Sequence, residues 1–231
     1  MRNLVLLPGF MLNEHLWDDM RGDLATLGAL TFGDLGQDIG IQAMADAVLR
    51  QAPERFVLFG FSMGGFVAQA VALKAPERVL GLALLNTSSR PQTEQESSST
   101  KAQIDIAQRT PFKGLTSRAL ASSLHPARSA ERVLLDRLQA MALANGKEVF
   151  LRQLQTLRDS NAEQLRALRC PVLIVASDHD RLRSVEESEE MARQIPQARF
   201  EVVADCGHMT PMEKPGELFA LISGWLGQSG L

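Results

Sequence analysis

Short unbroken apolar runs alternate along this chain with stretches whose apolar residues recur every three or four positions, up to about residue 86 and again from about 170. Leu4-Val5-Leu6-Leu7, Phe56 to Phe59 and Val172-Leu173-Ile174-Val175-Ala176 are the clearest runs. A run of four to eight apolar residues bounded by turn residues suits a strand buried on both faces, and the amphipathic stretches between suit helices covering those faces. Strands are expected near 3–7, 29–32, 55–60, 79–85, 171–176 and 199–204, and helices over about 14–27, 41–52, 63–74, 184–195 and 215–227. Ala52-Pro53-Glu54-Arg55 and Ala75-Pro76-Glu77-Arg78 each close a helix before a strand, because proline disfavours helical geometry in the residue preceding it. The expected class is α/β, a mostly parallel six-stranded sheet with helices on both faces.

Between Asn86 and Arg169 the alternation stops and helical stretches follow one another, separated by Pro, Gly and Ser. Leu134, Leu138 and Met141 share one helical face; Phe150, Leu154 and Leu157 share another. Such faces must bury against something. Residues 1–88 and 166–231 are therefore read as an α/β core and 89–165 as a helical cap folded back over the carboxyl ends of the strands, enclosing an apolar cavity. A helical bulge packed elsewhere is the alternative.

Composition narrows the partners. A chain of 231 residues, 45% hydrophobic and 22% charged, can bury a large core as a single domain. The net charge of −3 comes with no basic stripe suited to nucleic acid, and no apolar stretch reaches membrane-spanning length. Cys170 and Cys206 are expected as reduced thiols. The amino terminus carries one arginine before an apolar run, but Pro8-Gly9 interrupts it and no small-x-small cleavage site follows, so a buried strand and a cytoplasmic setting are expected.

The candidate chemistry centres on Gly60-Phe61-Ser62-Met63-Gly64, directly after the apolar run from Phe56. Small residues two places either side of Ser62 allow a sharp strand-to-helix turn that lifts the serine oxygen to an apex. A serine hydroxyl is a weak nucleophile at neutral pH, so it needs a histidine to take its proton and an acid to orient that histidine. His208 suits best: Asp205-Cys206-Gly207-His208 follows the apolar stretch Phe200 to Ala204, and the glycine permits a tight loop. His15, His125 and His179 read as exposed or locally packed. For the acid, Ser177-Asp178-His179-Asp180 ends a buried strand, where sites in open α/β sheets gather; Asp180 is the first choice and Asp178 the second. The developing oxyanion requires two N–H donors, expected from Met63 and from Phe10 after the Pro8-Gly9 turn, with Met11 as second choice for the latter. Met11, Met209 and Met141 are expected to line an adaptable acyl pocket, although methionine as ordinary filler reads equally well.

These residues resemble a known family. The order Ser62, Asp180, His208, with Pro8-Gly9-Phe10 upstream and Gly207-His208-Met209-Thr210-Pro211-Met212-Glu213-Lys214-Pro215, is similar to the α/β-hydrolase superfamily, in particular its small bacterial esterases and the carrier-protein methyl ester esterases. The resemblance covers nearly the whole chain. Pro8-Gly9 stands where the family has histidine-glycine, and Ser177 where it has glycine three places before the acid. The chain also starts at the oxyanion strand without the usual antiparallel hairpin, like a trimmed version of the fold.

The resemblance implies a carboxylesterase that works through an acyl-enzyme on small to medium apolar acyl esters, with no metal or organic cofactor. The same triad on the same fold also serves carbon–carbon bond, lactone and thioester hydrolysis, and a small-molecule receptor with little turnover is the reading outside enzymes. Eleven Lys or Arg stand against seven Asp or Glu from Arg90 to Asp159. That excess fits a solvated helix surface, or an acidic partner such as an acyl carrier protein, as the resemblance implies.

Overall fold

The computed structural model describes residues 2–159 and 162–231. Six strands form one sheet: β1 (Asn3–Leu7), β2 (Ala29–Phe32), β3 (Phe56–Phe61), β4 (Val79–Leu85), β5 (Val172–Ser177) and β6 (Ala198–Val203). Their order is β2-β1-β3-β4-β5-β6, and every strand pairing among the described residues is parallel. Each boundary lies within one residue of its sequence expectation.

Alternation along the strands sorts side chains to the two faces. Leu4, Leu6, Val57, Phe59, Phe61, Leu173 and Val175 pack with Trp17, with Leu24 of α1 (Arg21–Leu27) and with Leu218, Ile222 and Trp225 of α9 (Pro215–Gln228). Val5, Leu7, Leu58, Leu82, Leu84, Val172 and Ile174 pack on the other side with α2 (Ile41–Gln51), α3 (Met63–Lys74) and α7 (Val185–Gln194). Every residue of β3 and β5 is buried, which is why these strands read as continuous apolar runs with no polar alternation.

Between β4 and β5 lie α4 (Glu94–Arg109), α5 (Ser117–Ser122) and α6 (Arg132–Leu154). The last is broken at Gly146, whose φ of 76° and ψ of −178° are not helical. Its first arm buries Leu134, Leu138 and Met141 together, as their spacing predicts. The second arm differs: Leu154 is buried, but the helix ends there and Leu157 lies beyond it, largely exposed. The helix expected over 14–27 is also two pieces, a 3-10 turn (Glu14–Trp17) and α1. Bonds spaced three residues apart, Leu16 N–H to Asn13 O and Met20 N–H to Trp17 O, turn Leu16, Trp17 and Met20 into the core together. A short α8 (Thr210–Glu213) lies in the loop that carries His208.

The chain reverses direction across the sheet between β1 and β3, which pair with Leu7 opposite Gly60. Carboxyl ends of strands at such a switch point frame a crevice. Phe10 follows β1 and Ser62 follows β3.

Candidate active site

Ser62 joins β3 to α3 with φ of 52° and ψ of −116°, a left-handed φ that costs a non-glycine residue about 1 kcal/mol or more. Its surroundings hold it there. The Ser62 N–H donates to Leu85 O at 2.9 Å, while its carbonyl accepts from Gly65 N–H at 2.9 Å and from Thr87 Oγ1 at 2.7 Å. The turn is tight enough that a Cβ on Gly60 would stand 2.6 Å from Gly64 O, and one on Gly64 would stand 2.4 Å from Pro8 O. The two glycines thus serve close backbone approach.

His208 Nε2 lies 2.9 Å from Ser62 Oγ, and its Nδ1 lies 2.7 Å from Asp180 Oδ2. The imidazole packs against the Phe61 ring at 5.1 Å between centroids, and the His208 N–H donates to Ser123 O at 2.9 Å. The Asp180 carboxylate is buried and accepts four hydrogen bonds: Oδ1 from the N–H groups of Leu182 and Arg183, at 2.8 and 2.9 Å, and Oδ2 from His208 and from Asn86 Nδ2 at 3.1 Å. Asp178 does not meet His208. It accepts instead from His179 Nδ1 at 2.7 Å and from the N–H groups of Asp205 and Cys206. Burial pushes its carboxyl up, but these bonds outweigh that and hold it below its ordinary value. His179 stacks edge-on against His125 at 4.4 Å, and exposed His15 bonds Asp18.

Several residues at the site were not singled out from sequence. Asn86, with φ of 47°, donates to Ser177 Oγ as well as to Asp180 and accepts from Thr210 Oγ1 at 2.7 Å. Ser177, where the resemblance leads one to expect glycine, closes this network through Thr210 at 2.7 Å. The available signal was position: Asn86 is the first polar residue after the apolar strand β4. Glu213 is buried, and its carboxylate accepts from the N–H groups of His125 at 2.8 Å and Met209 at 3.2 Å.

The Met11 N–H is committed to Gln153 Oε1 at 2.8 Å. Met63 is the first residue of α3, where an N–H has no partner within its own helix. Ser62 opens onto two cavities that also share Phe10. One, of about 210 Å³, is apolar and lined by Leu12, Phe61, Leu120, Leu138, His208 and Met209. The other, of about 160 Å³, is lined by Met63, Phe66, Gln92, Gln153, Arg158 and Arg183. Of the three methionines expected in the pocket, Met209 lines the apolar cavity, whereas Met11 and Met141 line neither. Met11 is fully buried beside the Gln153 bond, and Met141, one turn beyond Leu138, is taken up by the hydrophobic core.

Residues 35–215 match the family described as alpha/beta hydrolase fold. A pimeloyl-[acyl-carrier protein] methyl ester esterase of Citrobacter koseri is 40% identical over 94 residues, a match spanning 37% of this chain and 37% of that relative's length. A thermophilic esterase from Thermogutta terrifontis (malate bound) superposes with a TM-score of 0.88 at 27% identity, covering 99% of this chain and 90% of that one. An enol-lactonase from Burkholderia xenovorans LB400 superposes at 0.79 with 17% identity, over 98% and 92% of the two chains, and so shares the fold. No helix among the described residues is long and apolar enough to cross a membrane.

Proposed function

This chain belongs to the alpha/beta hydrolase fold family, and from that premise we propose that it is a serine hydrolase cleaving carboxylic esters by acyl transfer through Ser62, His208 and Asp180. The observation that carries this reading is the continuous relay of 2.9 Å from Ser62 Oγ to His208 Nε2 and 2.7 Å from His208 Nδ1 to Asp180 Oδ2. In the reaction, His208 Nε2 takes the Ser62 proton as Oγ attacks the ester carbonyl, while Asp180 fixes the tautomer that carries its proton on Nδ1. The N–H groups of Phe10 and Met63 receive the oxyanion; with the Met11 amide already bonded to Gln153, Phe10 is the donor on the β1 side. The alcohol leaves with the proton from Nε2, and a water activated by the same nitrogen releases the acid.

In this reading residues 89–165 form the cap. Leu115 and the α5 and α6 side chains Leu120 and Leu138 wall the apolar cavity over Ser62, a low-polarity setting in which the oxyanion hydrogen bonds count for more than in bulk water. The substrate is a small to medium ester in the cytoplasm. An acyl carrier protein as bearer of the acyl group is a subsidiary part of the reading, supported by the name of the Citrobacter koseri relative and the basic excess of residues 90–159. The test is release of nitrophenol from 4-nitrophenyl butyrate. Ser62→Ala is expected to reduce kcat by at least about a thousandfold. Turnover unaffected by that change would exclude the mechanism, and no turnover of any ester by the parent chain would favour a binding module.

A further inference from the structure

The cavity bounded by Phe10, Ser62 and Met63 holds two guanidinium groups that the ester chemistry does not use. Arg158 and Arg183 lie over the same Phe66 ring, 5.5 and 5.9 Å from its centroid, and are only 15% and 18% exposed. They share one carboxylate oxygen: Glu96 Oε1 lies 2.6 Å from Arg158 Nη2 and 3.8 Å from Arg183 Nη1. The other Glu96 oxygen caps α4 through Thr93. A second acid nearby, Glu187, pairs at 3.6 Å with Arg90 and also feels the charge of Arg158, while burial pushes its carboxyl up from its ordinary value. Arg183 Nε is buried with no hydrogen-bond acceptor among the described residues. Among the described residues Glu96 Oε1 is the one ion-pair partner within 4 Å of both guanidinium groups, and Arg183 keeps an unused buried donor, an arrangement that is costly unless an acceptor completes it.

The position of His208 decides which part of a substrate that acceptor belongs to. The leaving alcohol must receive its proton from Nε2, and His208 lines the apolar cavity and not the arginine cavity. The alcohol therefore departs on the apolar side. The acyl chain extends past Phe10 and Met63 toward Phe66 and the arginines.

Resting on the reading of Ser62 as nucleophile, we infer that this chain selects esters whose acyl part ends in a carboxylate, the half esters of short dicarboxylic acids with apolar alcohols. Arg158 and Arg183 hold the free carboxylate, competing with Glu96 for it. Water adds across the acyl–alkoxy bond, so the products are the dicarboxylate and the alcohol, with no other reactant.

Monobutyl glutarate and butyl pentanoate share alcohol and carbonyl and differ chiefly in a terminal carboxylate or methyl, so the ratio of their kcat/KM values reads the site. The parent chain is expected to favour the half ester by at least about tenfold, and Arg158→Met or Arg183→Met to lower that ratio about tenfold to a hundredfold, chiefly through KM. Arg158→Lys should retain part of the preference. A parent ratio at or below one, or a ratio unmoved by both methionine variants, overturns the inference while leaving ester hydrolysis intact. A second measurement needs no turnover: glutarate binding to the Ser62→Ala protein by calorimetry, expected to be saturable and lost on adding Arg158→Met. Absence of glutarate binding also overturns the inference. Binding lost with the arginine in a chain that cleaves no ester would uphold the anion site and refute the esterase reading.

Discussion

Asn86 donates its Nδ2 to Asp180 Oδ2 across 3.1 Å, the same oxygen on which His208 Nδ1 rests at 2.7 Å. Asn86 is itself tied to Ser177 and Thr210, so the carboxylate is fixed from the ends of β4, β5 and α8 together. Asn86→Ala removes one of the four hydrogen bonds that fix Asp180 and loosens the orientation of the imidazole. We expect kcat to fall about tenfold to a hundredfold with KM for a neutral ester little changed, since a misplacement of about 1 Å costs that much. Steady-state kinetics on 4-nitrophenyl butyrate checks this; a rise in KM alone would assign Asn86 to substrate binding.

Gly64→Ala tests how closely the serine turn and the Pro8-Gly9 turn after β1 are built together. The new methyl carbon would stand 2.4 Å from Pro8 O and 2.7 Å from Leu7 O, both backbone atoms that no side-chain rotation can move. The end of β1 must shift, carrying Phe10 with it. A loss of about 1–3 kcal/mol of stability is expected from such overpacking, together with a larger relative fall in kcat than in thermal stability. Urea unfolding and ester kinetics on the same preparation separate the two effects.

Glu213 clamps the His208 loop to the segment after α5. Its carboxylate accepts the N–H groups of half-buried His125 and buried Met209, and neighbouring Gly207 would bring a Cβ within 2.2 Å of His125 N. Glu213→Ala orphans both donors, at about 1–3 kcal/mol each when unsatisfied, so the melting temperature should drop by roughly 5–15 °C. Glu213→Gln retains an acceptor for one of them and should fall between. Scanning calorimetry checks the order; an unchanged melting temperature for the alanine variant would remove the clamp.

The strands were legible because β3 and β5 are covered on both faces and therefore carry local, unbroken apolar signals. Ser62, Asp180 and His208 each stand at or just beyond a strand end, and glycine or apolar context marks all three. Asn86, Gln153 and Glu213 are different. Gln153 reaches Met11, 142 positions earlier, and Glu213 reaches His125, 88 positions earlier. No local pattern encodes a partner at that distance, and an isolated Gln or Glu on a helix reads as a solvated residue. The division of 14–27 was hidden for a related reason: Trp17 and Met20, three apart, fit an α-helix and a 3-10 turn equally well. Likewise Arg158 and Arg183 are 25 positions apart and became a pair only through the ring of Phe66.

Cys206 supplies a pH test independent of turnover. The residue is fully buried two places before His208, with Sγ 3.6 Å from Thr210 Oγ1, and burial pushes its thiol up to about 11. Between the ordinary thiol value near 9 and about 11, the unfolded chain has released this proton while the folded chain keeps it. The unfolded state then binds fewer protons, so stability falls as pH rises through that window, by about 1.4 kcal/mol per pH unit for one thiol. Below pH 9 both states keep the proton and the contribution is flat. Cys170, half-buried and also pushed up to about 11, adds a slope of the same sign. The chain has no tyrosine to titrate in this range. Urea unfolding at pH 8.0 and 10.5 should therefore show a smaller loss of stability for Cys206→Ala than for the parent chain. Iodoacetamide at pH 8 should modify folded Cys206 far more slowly than an unfolded thiol, because the thiolate is the reacting form. Equal pH slopes for parent and variant, or rapid labelling of the folded protein at Cys206, would show that the loop beneath His208 admits water.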